Sequence, residues 1–233
     1  MLPIVMPDVP YFPVTPYRLS GAICGALLNH AGSLAALGNA VHEPPYKAAP
    51  TGVVLYIKPR NTLLAAGEPA RVDAATRELE AGVALGVVIG RTACAVAESR
   101  ALEHVAGYLV VVDFSAPHGS YFRPQTRLKA RDASCALGPA VVPRGDVGDA
   151  DALGLRLFVD GRLAHEWNTA HQVRSVARLI ADVSDFMTLA PGDVLLTGLA
   201  PGAPRVGAGA HVAAEIDGLG RIEVRVEPAE SSR

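Results

Sequence analysis

Residues 106–113 read Ala-Gly-Tyr-Leu-Val-Val-Val-Asp, and the reading of the whole chain turns on this stretch. Tyr108 through Val112 has the aromatic and β-branched composition of a strand. Asp113 ends it, where a carboxylate is delivered to a cleft rather than to the core. Just upstream, residues 83–89 form a second apolar, β-branched run that stops at Gly90 and leads through polar residues into a short helix predicted over 98–107. Further back, residues 21–28 and 53–57 read as buried strands, the second closed by Lys58-Pro59-Arg60-Asn61.

Downstream, residues 153–159 alternate in character, and Asp160-Gly161 is a hairpin signal before a return strand at 162–164. Val173, Val176, Ala177, Ile180, Val183 and Met187 recur at helical spacing, predicting one long amphipathic helix over 170–188 with Asn168 or Thr169 as its cap. After Pro191-Gly192-Asp193, strands at 194–196, 212–216 and 221–226 make a β meander. By pattern alone the chain is mostly β with a few helices.

A chain of 233 residues has room for one core. Half of it is apolar and 19% is charged, which excludes disorder along most of its length. The formal net charge of -2 provides no field to recruit nucleic acid or an anionic membrane. Cys24, Cys94 and Cys135 are odd in number, far apart and outside any CxxC pattern, as expected of free thiols in a reducing compartment. No apolar run approaches the roughly 18 residues a membrane span needs. Pro3, Pro7, Pro10, Pro13 and Pro16 punctuate a start without the basic and apolar segments of a signal peptide, so a cytoplasmic location is expected. The expected organisation is a Pro-rich arm at 1–20, a single domain at 21–228 and a polar tail at 229–233.

Four segments carry a resemblance. They are Tyr46-Lys47 with Tyr56-Ile57-Lys58-Pro59-Arg60-Asn61-Thr62, then Val87-Val88-Ile89-Gly90-Arg91, then residues 106–113, then Thr188-Leu189-Ala190-Pro191-Gly192-Asp193-Val194-Leu195-Leu196-Thr197-Gly198. In this order they resemble the fumarylacetoacetate hydrolase family. Tyr121-Phe122-Arg123-Pro124, Lys129-Ala130-Arg131-Asp132 and Trp167-Asn168-Thr169 are similar to its decarboxylase/isomerase branch, which serves 4-hydroxyphenylacetate degradation. The resemblance implies an α+β, mostly β fold: the family's C-terminal-domain-like mixed β-sandwich roll, with short flanking helices and one long amphipathic helix. It also implies a homodimer, or a heteromer with a paralogous subunit.

For the site, the resemblance implies Mg2+ or Mn2+ held by a Glu-x-Glu pair and an Asp. Those positions fall here on Gly82, Ala84 and Asp113, so Asp113 is the only surviving ligand position and the cation is not expected to bind in the standard way. Glu78 and Glu80 have the pair's spacing but lie four residues early, so using them needs a slip or bulge; otherwise they form a solvated strand edge. Ser33 stands where the family has a His, leaving His30 as either an acid–base candidate or a structural residue.

Lys129 matches the family's active-site Lys, with Asp113 and His30 completing the catalytic candidates. Arg123, Arg127 and Arg131 form either a grip for substrate carboxylates or a solvated basic loop, with Asp132 as an ion-pair partner of Arg131. Thr197 and Gly198 are candidate carboxylate binders through hydroxyl and backbone N–H groups, or simply a strand-end turn. His165-Glu166-Trp167-Asn168-Thr169 is not a zinc motif, since HExxH requires His where Thr169 stands.

Three functions follow from the resemblance. One is a component that decarboxylates an oxo-ene tricarboxylate and isomerises the resulting hydroxydienoate. The second is a non-catalytic scaffold that stabilises a metal-competent paralogue. The third is an acylpyruvate- or fumarylacetoacetate-type C–C hydrolase, disfavoured because that chemistry needs the missing metal ligands and the missing His.

Overall fold

The computed structural model describes residues 21–64, 67–121, 126–138 and 140–229. The proposed Pro-rich arm at 1–20 and Arg123 lie outside the described residues. In chain order the strands are β1 (Ile23–Leu27), β2 (Val54–Lys58), β3 (Leu63–Leu64), β4 (Ala70–Val72), β5 (Glu78–Ile89), β6 (Val105–Ser115) and β7 (Cys135–Leu137). They continue as β8 (Val142–Pro143), β9 (Gly154–Val159), β10 (Arg162–Asn168), β11 (Val194–Leu196), β12 (Arg205–Gly207), β13 (His211–Ile216) and β14 (Gly220–Pro228). The α-helices are α1 (Ala31–Leu37), α2 (Thr126–Lys129) and α3 (Val176–Ser184). Among the described residues no helix is long and apolar enough to cross a membrane.

The strands form two sheets, one ordered β2-β1-β11-β5-β6-β7-β3 with β12 and β8 attached, the other ordered β10-β9-β13-β14-β4. At the centre of the larger sheet, β5 and β6 pair antiparallel, with Gly82 opposite Asp113 and Ala84 opposite Val111. Because side chains alternate along a strand, Gly82, Ala84, Val111 and Asp113 share one face. Leu79, Val83, Leu85, Val87, Val110 and Val112 point to the other face, where the core joins them to Leu155, Leu157, Val212 and Val224 of the second sheet. The first face carries its own smaller cluster, with Ala84, Val111 and Leu109 against Ile23, Tyr56 and Leu196. Both faces are therefore covered, which is why 83–89 and 108–112 read as unbroken apolar runs rather than alternating ones.

The Asp160-Gly161 hairpin forms between β9 and β10, and β13 and β14 pair across the turn at residues 217–219. Residues 98–104 form a 3-10 helix. The predicted long helix is corrected: α3 spans nine residues, and only a 3-10 turn at Thr169–His171 precedes it. Asn168 does cap that turn, accepting from the Ala170 N–H. The Val173 N–H then donates to Asn29 O, drawing the chain out of helical geometry, and Ser175 starts α3 by accepting from Arg178 N–H. Val173, 47% exposed, thus belongs to a tether rather than to the buried stripe.

Candidate active site

Three charged side chains from separate elements meet on the first face of the larger sheet. Asp113 near the end of β6, Lys58 at the end of β2 and Lys129 at the end of α2 are all at most 2% exposed. Lys58 Nζ lies 2.6 Å from Asp113 Oδ1, and Lys129 Nζ donates to Asp113 Oδ2 at 3.0 Å. The Tyr56 hydroxyl donates to Oδ2 at 2.6 Å. Tyr56 reaches the carboxylate because it lies across Gly25 on the neighbouring strand, where a Cβ would sit 2.3 Å from the Tyr56 ring.

The two lysines are not equivalent. Besides Asp113, Lys58 Nζ donates to Phe114 O at 2.7 Å and to Ser134 O and Oγ at 3.1 and 3.2 Å, so its donors are saturated. Lys129 Nζ has Asp113 as its hydrogen-bond partner among the described residues, sits 4.8 Å from the Tyr56 ring centroid, and lines a cavity. An ammonium has three N–H donors, so Lys129 keeps donors for a ligand while Lys58 does not.

One carboxylate between two ammonium groups leaves the cluster with a net positive charge. Burial pushes the Asp113 carboxyl up, but Lys129, Lys58 and the hydrogen bonds from Lys58 and Tyr56 outweigh it and hold the group below the usual carboxylate range. Burial pushes Lys129 down; Asp113 opposes this and Lys58 adds to it, leaving the amine below its ordinary value. Burial, and then Asp113, drive the Tyr56 phenol well up, so it stays a proton donor.

The cavity above Lys129 holds about 330 Å3, within the range of small-molecule sites. Ser33, Gly82 and Leu199 line it, as do Glu80, His118 and Tyr121. His30 is buried at the start of α1, its Nδ1 accepting from the Gly32 N–H. Burial first, then His171 and His165, lowers its pKa. It is not among the cavity-lining residues, and neither are Thr197 and Gly198. The Thr197 hydroxyl instead accepts from Gln172 Nε2 at 2.5 Å.

Arg127 is exposed on α2 and does not line the cavity. Arg131 is corrected: its guanidinium pairs with Asp73 outside the cavity. Asp132 is corrected with it, accepting from Asn61 Nδ2 at 2.6 Å rather than pairing with Arg131. The sequence reading missed Tyr56, Lys58 and His118. Tyr56 and Lys58 did carry a signal, since they lie two apart on one strand and so share a face with each other.

Two packed sheets with a cationic cluster under a cavity define a small-molecule site on a mostly β, α+β scaffold. The chain belongs to the fumarylacetoacetate hydrolase family: residues 22–227 match the model described as Fumarylacetoacetate (FAA) hydrolase C-terminal. Over 180 residues the chain is 38% identical to the 4-hydroxyphenylacetate degradation bifunctional isomerase/decarboxylase of Escherichia coli, covering 77% of this chain and 41% of that protein. It therefore spans about two fifths of that relative's length. It is similar to the solved 5-carboxymethyl-2-hydroxymuconate delta-isomerase from Mycobacterium smegmatis, at a TM-score of 0.75 and 27% identity over 91% of this chain and 81% of that one. It is also similar to the fumarylpyruvate hydrolase from Pseudomonas aeruginosa, solved with Mn2+ and pyruvate, at a TM-score of 0.74 and 26% identity over 89% and 90% of the two chains.

The residues here do not fit a divalent cation. Both Asp113 oxygens are engaged by cations, which compete with any metal. At Gly82 the Leu199 side chain takes the room, its Cδ2 lying 2.7 Å from where a Cβ would stand. Among the described residues no group of three His, Cys, Asp or Glu converges as a metal would need.

Proposed function

We propose that this chain is a component of a cytoplasmic decarboxylase/isomerase of 4-hydroxyphenylacetate catabolism. Its substrates are 5-oxopent-3-ene-1,2,5-tricarboxylate and 2-hydroxyhepta-2,4-diene-1,7-dioate, and it works in a homodimer or beside a paralogous subunit. The names of the Escherichia coli relative and the Mycobacterium smegmatis structure support the reaction class. The observation that carries the reading for this chain is Lys129: a buried ammonium at a cavity, with donors left for a ligand.

Both reactions pass through a dienolate. As CO2 leaves the tricarboxylate, its bonding electron pair runs through the conjugated ene to the 2-oxo oxygen. A fixed cation in a water-poor site stabilises that oxygen far better than solvent does. Lys129 supplies the charge and Asp113 holds it in place, while Lys58 completes the cluster. The test is turnover of the tricarboxylate by Lys129→Met, for which a loss on the order of 10²–10³ in kcat is expected. Unchanged turnover would remove the catalytic claim. The space filled by Leu199 at Gly82 favours a second reading, a non-catalytic scaffold. That reading predicts that the chain raises the thermal stability of a metal-competent paralogue by linkage, with no turnover of its own.

A further inference from the structure

We propose that His118, oriented by Glu80, is the acid–base group that moves the substrate's proton. It does so in a chain where Ser33 stands in place of an imidazole. The inference rests on the reading of the cavity as a dienolate site, and its geometry is independent of the lysine cluster.

His118 Nδ1 lies 3.1 Å from Ala116 O. A carbonyl only accepts, so Nδ1 bears the hydrogen and the lone pair of the neutral ring sits on Nε2. That Nε2 is buried and has no hydrogen-bond partner among the described residues. A buried acceptor without a partner costs free energy unless something occupies it, and His118 lines the same cavity as Lys129.

Glu80 Oε2 lies 3.6 Å from Nδ1, placing a carboxylate beside the nitrogen that bears the hydrogen. Glu80 Oε1 in turn faces Arg205 Nε at 3.9 Å. The ring is braced edge-on by Tyr121 at 5.5 Å between centroids, and the Tyr121 N–H donates to the Tyr46 hydroxyl at 2.8 Å. A base whose Nδ1 is held by a carbonyl with a carboxylate beside it, braced by an aromatic ring and left without a partner on its far nitrogen among the described residues, has the arrangement needed for general acid–base work.

The step balances without any other reactant. In the hydroxydiene, the enol hydroxyl gives its proton to the bare Nε2 of the neutral His118 ring, the oxygen's electron pair closes the C=O bond, and the diene electrons shift along one position. The far diene carbon then takes a proton from His118 Nε2–H. Giving up that proton returns the ring to its neutral form with hydrogen on Nδ1, and Lys129 faces the oxygen throughout. His118 is the catalytic residue of this step, and Glu80 is a positioning residue acting through it.

The experiment uses the full chain with three readouts: ketonisation of the hydroxydienedioate, rescue by added imidazole, and binding of oxalate as a non-reacting dianion. His118→Gln is expected to lose about 10²–10⁴ in kcat while oxalate affinity stays within about threefold. His118→Ala is expected to recover activity as imidazole is added, and Glu80→Gln to lower kcat and shift the pH profile with KM little changed. Full turnover by His118→Gln would overturn the assignment and leave the dienolate site standing. Lost turnover in His118→Ala with intact oxalate binding and no imidazole rescue would make the residue structural and overturn it too. Wild-type protein that binds oxalate only weakly and ketonises nothing would overturn the dienolate reading itself, and this inference with it.

Discussion

Asp113→Asn removes the one negative charge between two buried ammonium groups. At 2.6 and 3.0 Å, each lysine loses an attraction of about 6 kcal/mol at an effective dielectric of about 20. The net cost is bounded, because a lysine that cannot bear the loss sheds its proton instead. Neutralising one lysine with an unfolded-state pKa of about 10.4 costs about 4–5 kcal/mol at pH 7. That is a large share of a domain stability of roughly 5–15 kcal/mol.

The sign of the pH dependence follows. In the variant a lysine's folded pKa falls below its unfolded value, so the unfolded chain binds more protons and stability rises with pH up to the unfolded pKa. Urea melts of both proteins between pH 7 and 10 measure this. The variant is expected to lie about 4–5 kcal/mol below wild type at pH 7 and to regain up to about 1.4 kcal/mol per pH unit as the solution becomes alkaline. A deficit under about 1 kcal/mol, or one flat with pH, would refute a buried carboxylate that holds both lysines charged.

Three further outcomes follow from the same geometry. Tyr56→Phe deletes a hydrogen bond to a charged group and is expected to cost about 1.5–3 kcal/mol in urea melts, while oxalate binding through Lys129 survives. Cys24 and Cys135 are buried with thiols pushed up to about 12, first by burial, whereas Cys94 is exposed. Iodoacetamide should therefore label only Cys94 in the native protein at pH 8, as read by peptide mass. Because both buried thiols have folded pKa values raised above the ordinary thiol value of 9.0, their contribution to stability is complete below pH 9. It declines by about 1.4 kcal/mol per pH unit per thiol as pH climbs from there towards 12, which urea melts of wild type against Cys24→Ala resolve.

The strands were legible because 83–89 and 108–112 are β-branched and buried on both faces, which leaves no competing helical period. The long helix was not, because Val173 fits the helical spacing while its N–H is claimed by Asn29, a partner 144 positions away in sequence that periodicity cannot see. Asp113 and Lys129 were legible from their motifs. Lys58 was not, because alternation on β2 is inverted: Ile57 is 50% exposed while Tyr56 and Lys58 are buried. An alternation rule sends the apolar residue inward, and only the buried carboxylate on β6 explains why the lysine goes in instead. His118 sits in a Pro-His-Gly loop segment without periodicity, so nothing local distinguished it from a solvated turn. Arg131 was drawn to Asp73, a residue distant in sequence, rather than to the cavity.

Under the proposed function, lysine charge rather than a bound cation supports the dienolate in this chain. Turnover of the oxo-ene tricarboxylate by the purified protein, with excess EDTA and then with added Mn2+, tests it most directly. The same rate is expected in both, with its loss in Lys129→Met; turnover that vanishes with EDTA and returns with Mn2+ would mean that a cation, not the lysine, carries the charge.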